Sequence, residues 1–311
     1  MAKLRNEDLI AISDLSREEV QMILNLAKFI KNRAKKGQTP KLLKGKTLAM
    51  IFDKPSNRTR VSFEVGMWQL GGLAIELDTI GIRFAKGESI PDIARTLSRY
   101  VDGVVMRTSA HESIIEFARY ASVPVINGLT DLLHPCQALS DIFTIWEKKG
   151  KLRGVKVAYI GDGNNVCHSL MTAAAKMGME FIAACPEGYE PNKNILEMVQ
   201  GIAKKSKATI GVIHDPNDAV TGADVIYTDV WVSMGQEGEE AKRLKAFKKF
   251  QVNFDLVNKA KKDVIVMHCL PAHRGQEITS DVMVSKYSAV FDQAENRLHV
   301  QKAILTLLME D

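Results

Sequence analysis

The sequence predicts an α/β protein of two domains, each a parallel sheet flanked by helices, and three observations carry that reading. The first is length, since 311 residues exceed what a single hydrophobic core usually serves. The second is alternation. Short apolar runs rich in Val, Ile and Leu take turns with segments of 3.6-residue periodicity, the pattern of parallel strands joined by crossover helices. The third is where the polar chemistry falls. Residues 53–60, Arg107, Asn127, 162–165, 229–235 and 268–274 all lie at or just past the C-terminal end of a predicted strand, where open α/β sheets bind ligands. Two such sheets facing each other would put the active site in the cleft between the domains.

Taken in order, Ser16-Arg-Glu-Glu19 is a capping box ahead of Val20, Ile23, Leu24, Ala27 and Ile30, which share one helical face. The run Thr47-Leu-Ala-Met-Ile-Phe52 predicts a buried strand over 47–53. Ser56 then caps a helix on which Val61, Val65 and Trp68 recur at helical spacing, and Gly71-Gly72 stops it. Strands follow over 73–77, 103–107 and 123–127. The next helix opens at His134-Pro135, with proline at the first position, and carries Leu139, Ile142, Phe143 and Trp146 to a stop at Gly150. The charged, glycine-containing segment 148–154 is the predicted domain boundary. Beyond it, strands are predicted over 155–160, 181–185, 209–214, 225–230, 264–270 and 289–292, and a last helix from Arg297 to Met309.

Composition narrows the function classes. A hydrophobic content of 46% with 25% charged residues is that of a globular chain. No apolar run approaches membrane-span length, and the N-terminus lacks a signal-peptide core, so neither a membrane nor export is expected. The net charge of +5 suits acidic small molecules; without a Lys/Arg block interleaved with aromatics, no nucleic acid is expected. Cys136, Cys167, Cys185 and Cys269 have no close pairing, which fits a reducing cytoplasm. His268-Cys-Leu-Pro-Ala-His273 has no CxxC or HxxxH companion, so no metal is expected, and no cofactor.

Several segments carry chemistry. Arg58 and Arg60 sit in a first helical turn, where the helix dipole is already positive. That arrangement makes sense if a multiply charged anion sits there, held by free N–H groups, hydroxyls and arginines. Arg107, ending an apolar strand, needs an anionic or strongly polar partner, whether a protein carboxylate or a ligand. His134 and Gln137 open a helix and could each reach a ligand oxygen or amide. Gly161-Asp-Gly163-Asn-Asn-Val166 approximates the dinucleotide fingerprint but has Val166 where the third glycine belongs. Asp229, with Ser233 four residues on, offers a carboxylate for an ammonium and a hydroxyl for a carboxylate, a pairing that suits an α-amino acid.

Together these segments resemble the aspartate/ornithine carbamoyltransferase family over essentially the whole chain. Ser56-Asn-Arg-Thr-Arg60 matches the family's S-x-R-T-R, and His134-Pro-Cys-Gln137 matches H-P-x-Q. Asp229-Val-Trp-Val-Ser-Met-Gly235 and His268-Cys-Leu-Pro271 match the ornithine-type D-x-x-x-S-M-G and H-C-L-P. The resemblance implies transfer of a carbamoyl group from carbamoyl phosphate to the side-chain amine of L-ornithine, in a homotrimer or an assembly of trimers, without metal or covalent intermediate. It implies that 1–148, with the helix from 297 to 311 packed back on it, binds carbamoyl phosphate, and that 149–296 binds ornithine.

Residue by residue, the resemblance assigns Ser56, Asn57, Arg58 and Thr59 to the phosphate. Arg107, His134 and Thr59 go to the carbonyl oxygen, and Gln137, beside Pro135 and Cys136, to the carbamoyl nitrogen. Arg297 reaches back to the carbamoyl phosphate. Asn165, Asp229, Ser233 and Met234 go to ornithine, and Cys269 and Leu270 to the point where amine and carbamoyl group meet. The catalytic set is Arg107, His134 and Cys269. Arg83 stands where many relatives have Gln, in a loop that reaches a neighbouring subunit, and is expected to contact the ligand as a cation. Arg60 is expected to pair with a protein carboxylate instead. Two other readings remain: a transferase for putrescine or an N-acylated ornithine, and a nicotinamide-dependent oxidoreductase built on the Gly161 turn.

Overall fold

The computed structural model describes residues 4–310 apart from 6, 54, 55, 79–87 and 234. By compactness the chain divides into two units, Met1–Leu139 with Arg297–Asp311, and Ser140–Asn296.

The first unit opens with α1 (Arg17–Ala34), whose capping box forms as predicted: Ser16 Oγ accepts from Glu19 N–H at 3.1 Å, and Glu19 accepts from Ser16 N–H at 2.7 Å. There follow β1 (Thr47–Phe52), α2 (Asn57–Leu70), β2 (Leu73–Asp78), α3 (Ile90–Leu97), β3 (Gly103–Arg107), α4 (His111–Tyr120) and β4 (Val125–Leu129). The four strands are parallel in the order β2-β1-β3-β4. Chain order therefore reverses direction between β1 and β3, which makes their C-terminal ends the switch point of this sheet. Phe52 pairs with Arg107 in register, so the loop entering α2 emerges beside Arg107. Beneath the sheet, Ala49, Ile51, Val104, Met106, Ile114 and Phe117 form a buried cluster.

The second unit takes over within α5 (Pro135–Lys149) and continues as β5 (Lys156–Ile160), α6 (Asn165–Met177), β6 (Glu180–Ala184), α7 (Lys193–Ser206) and β7 (Thr209–Ile213). Then come α8 (Pro216–Val220), β8 (Val225–Thr228), α9 (Glu240–Phe247), α10 (Phe254–Val257), β9 (Ile265–His268) and α11 (Ser280–Met283). The parallel order is β7-β6-β5-β8-β9, so the switch point lies between β5 and β8, where Ile160 pairs with Thr228. The final helix, α12 (Val290–Met309), closes the chain, and its residues from Arg297 belong to the first unit. There, Lys302 Nζ donates to Gln69 at 2.6 Å, and the Met309 side chain abuts Gly103 so closely that a Cβ on that glycine would lie 3.0 Å from Sδ.

One expectation needs correction. Residues 290–292 are not strand but the first turn of α12; the three apolar residues at 289–291 are too few to tell a strand from a buried helical turn by periodicity. Helix α2 forms as predicted, but its buried face is not the one marked by Val61 and Trp68. Phe63, Met67 and Leu70 are buried, whereas Val61 and Trp68 are 49% and 71% exposed.

Candidate active site

The first switch point gathers positive charge around one buried hydroxyl. Ser56 caps α2, its Oγ accepting from Thr59 N–H at 3.4 Å. Thr59, fully buried, accepts through Oγ1 from the Arg297 guanidinium at 2.7 Å. Asn57 and Arg58, in the same turn, are exposed. Arg107, at the end of β3, is buried, as are His134, Cys136 and Gln137 at the start of α5, which Pro135 begins. Burial, followed by the charges of Arg297, Arg107 and Arg58, holds the His134 imidazole well below its ordinary value. A neutral imidazole among three arginines can donate a hydrogen bond to a ligand oxygen without adding a fourth cation. Burial pushes the Cys136 thiol up to about 12, so it is not a nucleophile; its Sγ donates to the Asn127 carbonyl at 3.4 Å.

Arg60 turns away from this group and pairs with Glu76 at 2.8 Å on β2. Asn127, expected near the site, lies inside β4, where its Nδ2 donates to the Ile10 carbonyl at 2.9 Å and fastens the N-terminal segment.

At the second switch point, Asp229 follows β8 and is held by three donors. Its Oδ1 accepts from Val230 N–H at 2.8 Å and from the Cys269 thiol at 3.0 Å. Its Oδ2 accepts from Asn164 Nδ2 at 2.8 Å. Thus Cys269, at the end of β9, meets Asp229, at the end of β8. Ser233 follows in the loop, its N–H bonded to Gln236 Oε1 at 3.1 Å, and Asn165 begins α6 half-buried. Leu270 takes a left-handed conformation, φ +61°, ahead of the cis peptide bond to Pro271. Arg83 and Met234 lie outside the described residues.

The Gly161 turn serves the chain itself rather than a dinucleotide. In a dinucleotide fold the second glycine lets a pyrophosphate approach the backbone. Here a Cβ on Gly163 would lie 2.2 Å from Pro191 N and 2.4 Å from Glu190 C, so the close approach is made by another stretch of backbone. The first turn of α6 is also satisfied internally, with Asn164 Oδ1 accepting from Val166 and Cys167 N–H.

Asp229, His268 and Cys269 bring potential metal-ligand atoms within 4.8 Å of one another. The ring of His268 is already spent: Nδ1 accepts from Leu270 N–H at 2.8 Å, and Nε2 lies 3.1 Å from Glu277 Oε1. A metal would have to break one of these bonds.

Sequence reasoning missed three residues here. Asn164, next to the expected Asn165, is the one bonded to Asp229; its place as N-cap was the available signal. Arg243, on α9, bonds the Asp162 carboxylate at 3.0 Å and the Trp231 carbonyl at 2.9 Å. Burial raises Asp162 to about 6, even though Arg243 pulls the other way. Glu277 is the third. Partners 81 and 9 residues apart leave no periodic mark in the sequence.

Residues 7–147 match the family model for the carbamoyl-phosphate-binding domain of aspartate/ornithine carbamoyltransferases, and residues 153–308 match that for the aspartate/ornithine-binding domain. The chain is 56% identical to the ornithine carbamoyltransferase of Pyrococcus horikoshii, over 99% of this chain and 98% of that one. It is 55% identical to the anabolic ornithine carbamoyltransferase of Pyrococcus furiosus over the same shares. A solved structure of ornithine carbamoyltransferase from Pyrococcus furiosus superposes with a TM-score of 0.96, at 55% identity and 99% coverage of both chains. One from Gloeobacter violaceus gives 0.88 at 45% identity, covering 98% of this chain and 99% of that one.

Proposed function

The chain belongs to the aspartate/ornithine carbamoyltransferase family, and on that premise we propose that it is an enzyme that carbamoylates the side-chain amine of L-ornithine, giving L-citrulline and phosphate. Residues 1–148 with 297–311 take carbamoyl phosphate, and 149–296 take ornithine. The phosphate is held by Ser56, the backbone of Asn57, Arg58 and Thr59, with Arg297 and Arg83 adding positive charge. The carbonyl oxygen lies against Arg107, His134 and Thr59, and Gln137 takes the carbamoyl nitrogen, with Pro135 and Cys136 shaping that wall. Cys269 and Leu270 meet the reacting groups from the ornithine side.

The chemistry follows from the charges. An unprotonated amine attacks the carbonyl carbon, negative charge grows on its oxygen, and the phosphate leaves with the bonding electrons. Arg107, His134 and Thr59 act as an oxyanion hole, in which one donor contributes about 3–4 kcal/mol. Bringing both substrates together provides the orientation term. The single observation that carries the choice of ornithine is Asp229, a carboxylate 6% exposed at the switch point of its sheet and beside Cys269. It suits the α-ammonium of an amino acid, with Asn165, Ser233 and Met234 placing the rest. Putrescine and N-acylated ornithine lack a free ammonium next to a carboxylate. Arg107→Ala tests the mechanism: citrulline formation should fall by roughly 10²–10³-fold while thermal unfolding still shows a folded chain. Turnover within a few-fold of the parent chain would remove Arg107 from the reaction.

The assembly is a homotrimer, alone or in larger groups. Supporting this, Val61 and Trp68 on α2 and Leu73 and Ile75 on β2, an edge strand, expose a contiguous stretch of sequence rich in apolar side chains. Among the described residues no helix is long and apolar enough to cross a membrane, and the four cysteines are free. The enzyme acts on small molecules in the cytoplasm. The anabolic relative supports a place in arginine biosynthesis.

A further inference from the structure

Strand β9 ends at His268, and the next two residues, Cys269 and Leu270, are those assigned above to the reacting groups. Leu270 stands at φ +61°, a left-handed conformation unfavourable for a residue with a side chain. A set of buried and partly buried hydrogen bonds, none to a residue assigned to substrate other than Leu270 itself, holds that turn. Leu270 N–H donates to His268 Nδ1 at 2.8 Å, so Nδ1 must carry a lone pair. The ring proton therefore sits on Nε2, 3.1 Å from Glu277 Oε1. The same oxygen accepts from His273 N–H, which orients the carboxylate. His268 and Glu277 are both 0% exposed. On the far side, the His268 backbone N–H donates to Gln293 Oε1 at 2.9 Å, and Gln293 Nε2 donates to Asp141 Oδ1 at 2.8 Å.

A carboxylate buried this deeply is costly, and an apolar side chain would be cheaper unless the acceptor is needed. Glu277 Oε2 has no hydrogen-bond partner among the described residues, so the carboxylate serves through one oxygen only. That oxygen faces two N–H donors, the His268 ring and the His273 backbone.

We propose that Glu277 is a positioning residue for the transfer reaction: it accepts the Nε2 proton of His268, locks the one tautomer whose Nδ1 can hold Leu270 N–H, and so fixes the Cys269 thiol and the Leu270 carbonyl. If the proton moved to Nδ1, it would face the Leu270 N–H, donor against donor, and the turn would open. The inference deepens the carbamoyltransferase reading and rests on it.

The test compares Glu277→Met, which fills the space without an acceptor, with Glu277→Gln, which keeps an oxygen for both donors, in the full chain. Glu277→Met should lower kcat for citrulline formation by roughly 10- to 100-fold, the order expected for an ångström-scale misplacement. Its Kd for carbamoyl phosphate should stay within about twofold, because the phosphate ligands lie on the other unit; Glu277→Gln should recover most of the lost kcat. Nitrogen NMR of the parent chain should show His268 protonated at Nε2 only. A merely structural role would lower the unfolding temperature and leave kcat unchanged at assay temperature, which overturns the proposal. So would Gln as damaging as Met, or a parent His268 protonated at Nδ1; the last two need no folded Met variant. A parent chain that makes no citrulline yet shows the Nε2 proton would remove the functional reading and leave the tautomer lock standing.

Discussion

Replacing Asp229 by asparagine changes little in shape, and the hydrogen bonds around it fix the consequence. The aspartate accepts from Val230 N–H and the Cys269 thiol on one oxygen and from Asn164 Nδ2 on the other. An asparagine must place its NH₂ on one of those sides. Facing Asn164, it meets a donor, and Asn164 cannot turn over, since its Oδ1 already accepts from Val166 N–H, Cys167 N–H and the Tyr159 hydroxyl. Facing the other way, it meets Val230 N–H and the Cys269 thiol. Either orientation leaves a buried donor without an acceptor, at about 1–3 kcal/mol. For a domain of this size that lowers the unfolding temperature by about 2–4 °C per kcal/mol. The substrate ammonium also loses its counter-charge, about 1.5–3 kcal/mol for a charge-assisted bond. At tenfold for each 1.4 kcal/mol, kcat/KM for ornithine falls roughly 10- to 150-fold. Initial rates at saturating carbamoyl phosphate, with thermal unfolding alongside, measure both. An unchanged unfolding temperature with kcat/KM within about threefold would refute the placement of Asp229.

Two further outcomes follow from the same structure. His134 is held neutral below its ordinary value of 6.5, so the stability it contributes is complete above that pH and is lost as pH falls below it. Denaturation midpoints taken at successive pH values should show up to about 1.4 kcal/mol per pH unit from this one group, and His134→Gln should flatten that slope; an equal slope in both chains would contradict it. Asp162 works with the opposite sign, gaining stability as pH falls through its raised value of about 6 toward 3.8, so the comparison must be made between variants. Trp68→Glu should leave the isolated chain folded, because the ring is 71% exposed, while sedimentation shows the proposed trimer lost; an intact trimer in the variant would place the interface elsewhere.

Much of the architecture was legible because it depends on local pattern. Ser16-Arg-Glu-Glu19, the strand-forming run before Phe52, Pro135 and Gly150 each act within a few residues, and each produced the element expected. Legibility failed where one short pattern serves two purposes. The run at 289–292 has the apolar density of a strand, yet it continues into the helical repeat of α12. Val61 and Trp68 keep perfect helical spacing while facing outward, since periodicity marks a common face and not what covers it. The candidate site was visible as residue types at strand ends, because switch points collect them. Its supports were not: Asn164 on Asp229, Arg243 on Asp162 and Trp231, and Glu277 on His268 join residues that only the folded sheet brings together.

The measurement that tests the central claim most directly is a substrate panel. The chain is incubated with carbamoyl phosphate and, separately, ornithine, putrescine, aspartate or N-acetylornithine, and the carbamoylated product and released phosphate are quantified. Citrulline and phosphate should appear together in equal amounts with ornithine, rising toward alkaline pH as an amine with a pKa of about 10 loses its proton, with little product from the other three. Product from putrescine or N-acetylornithine but none from ornithine would contradict the account.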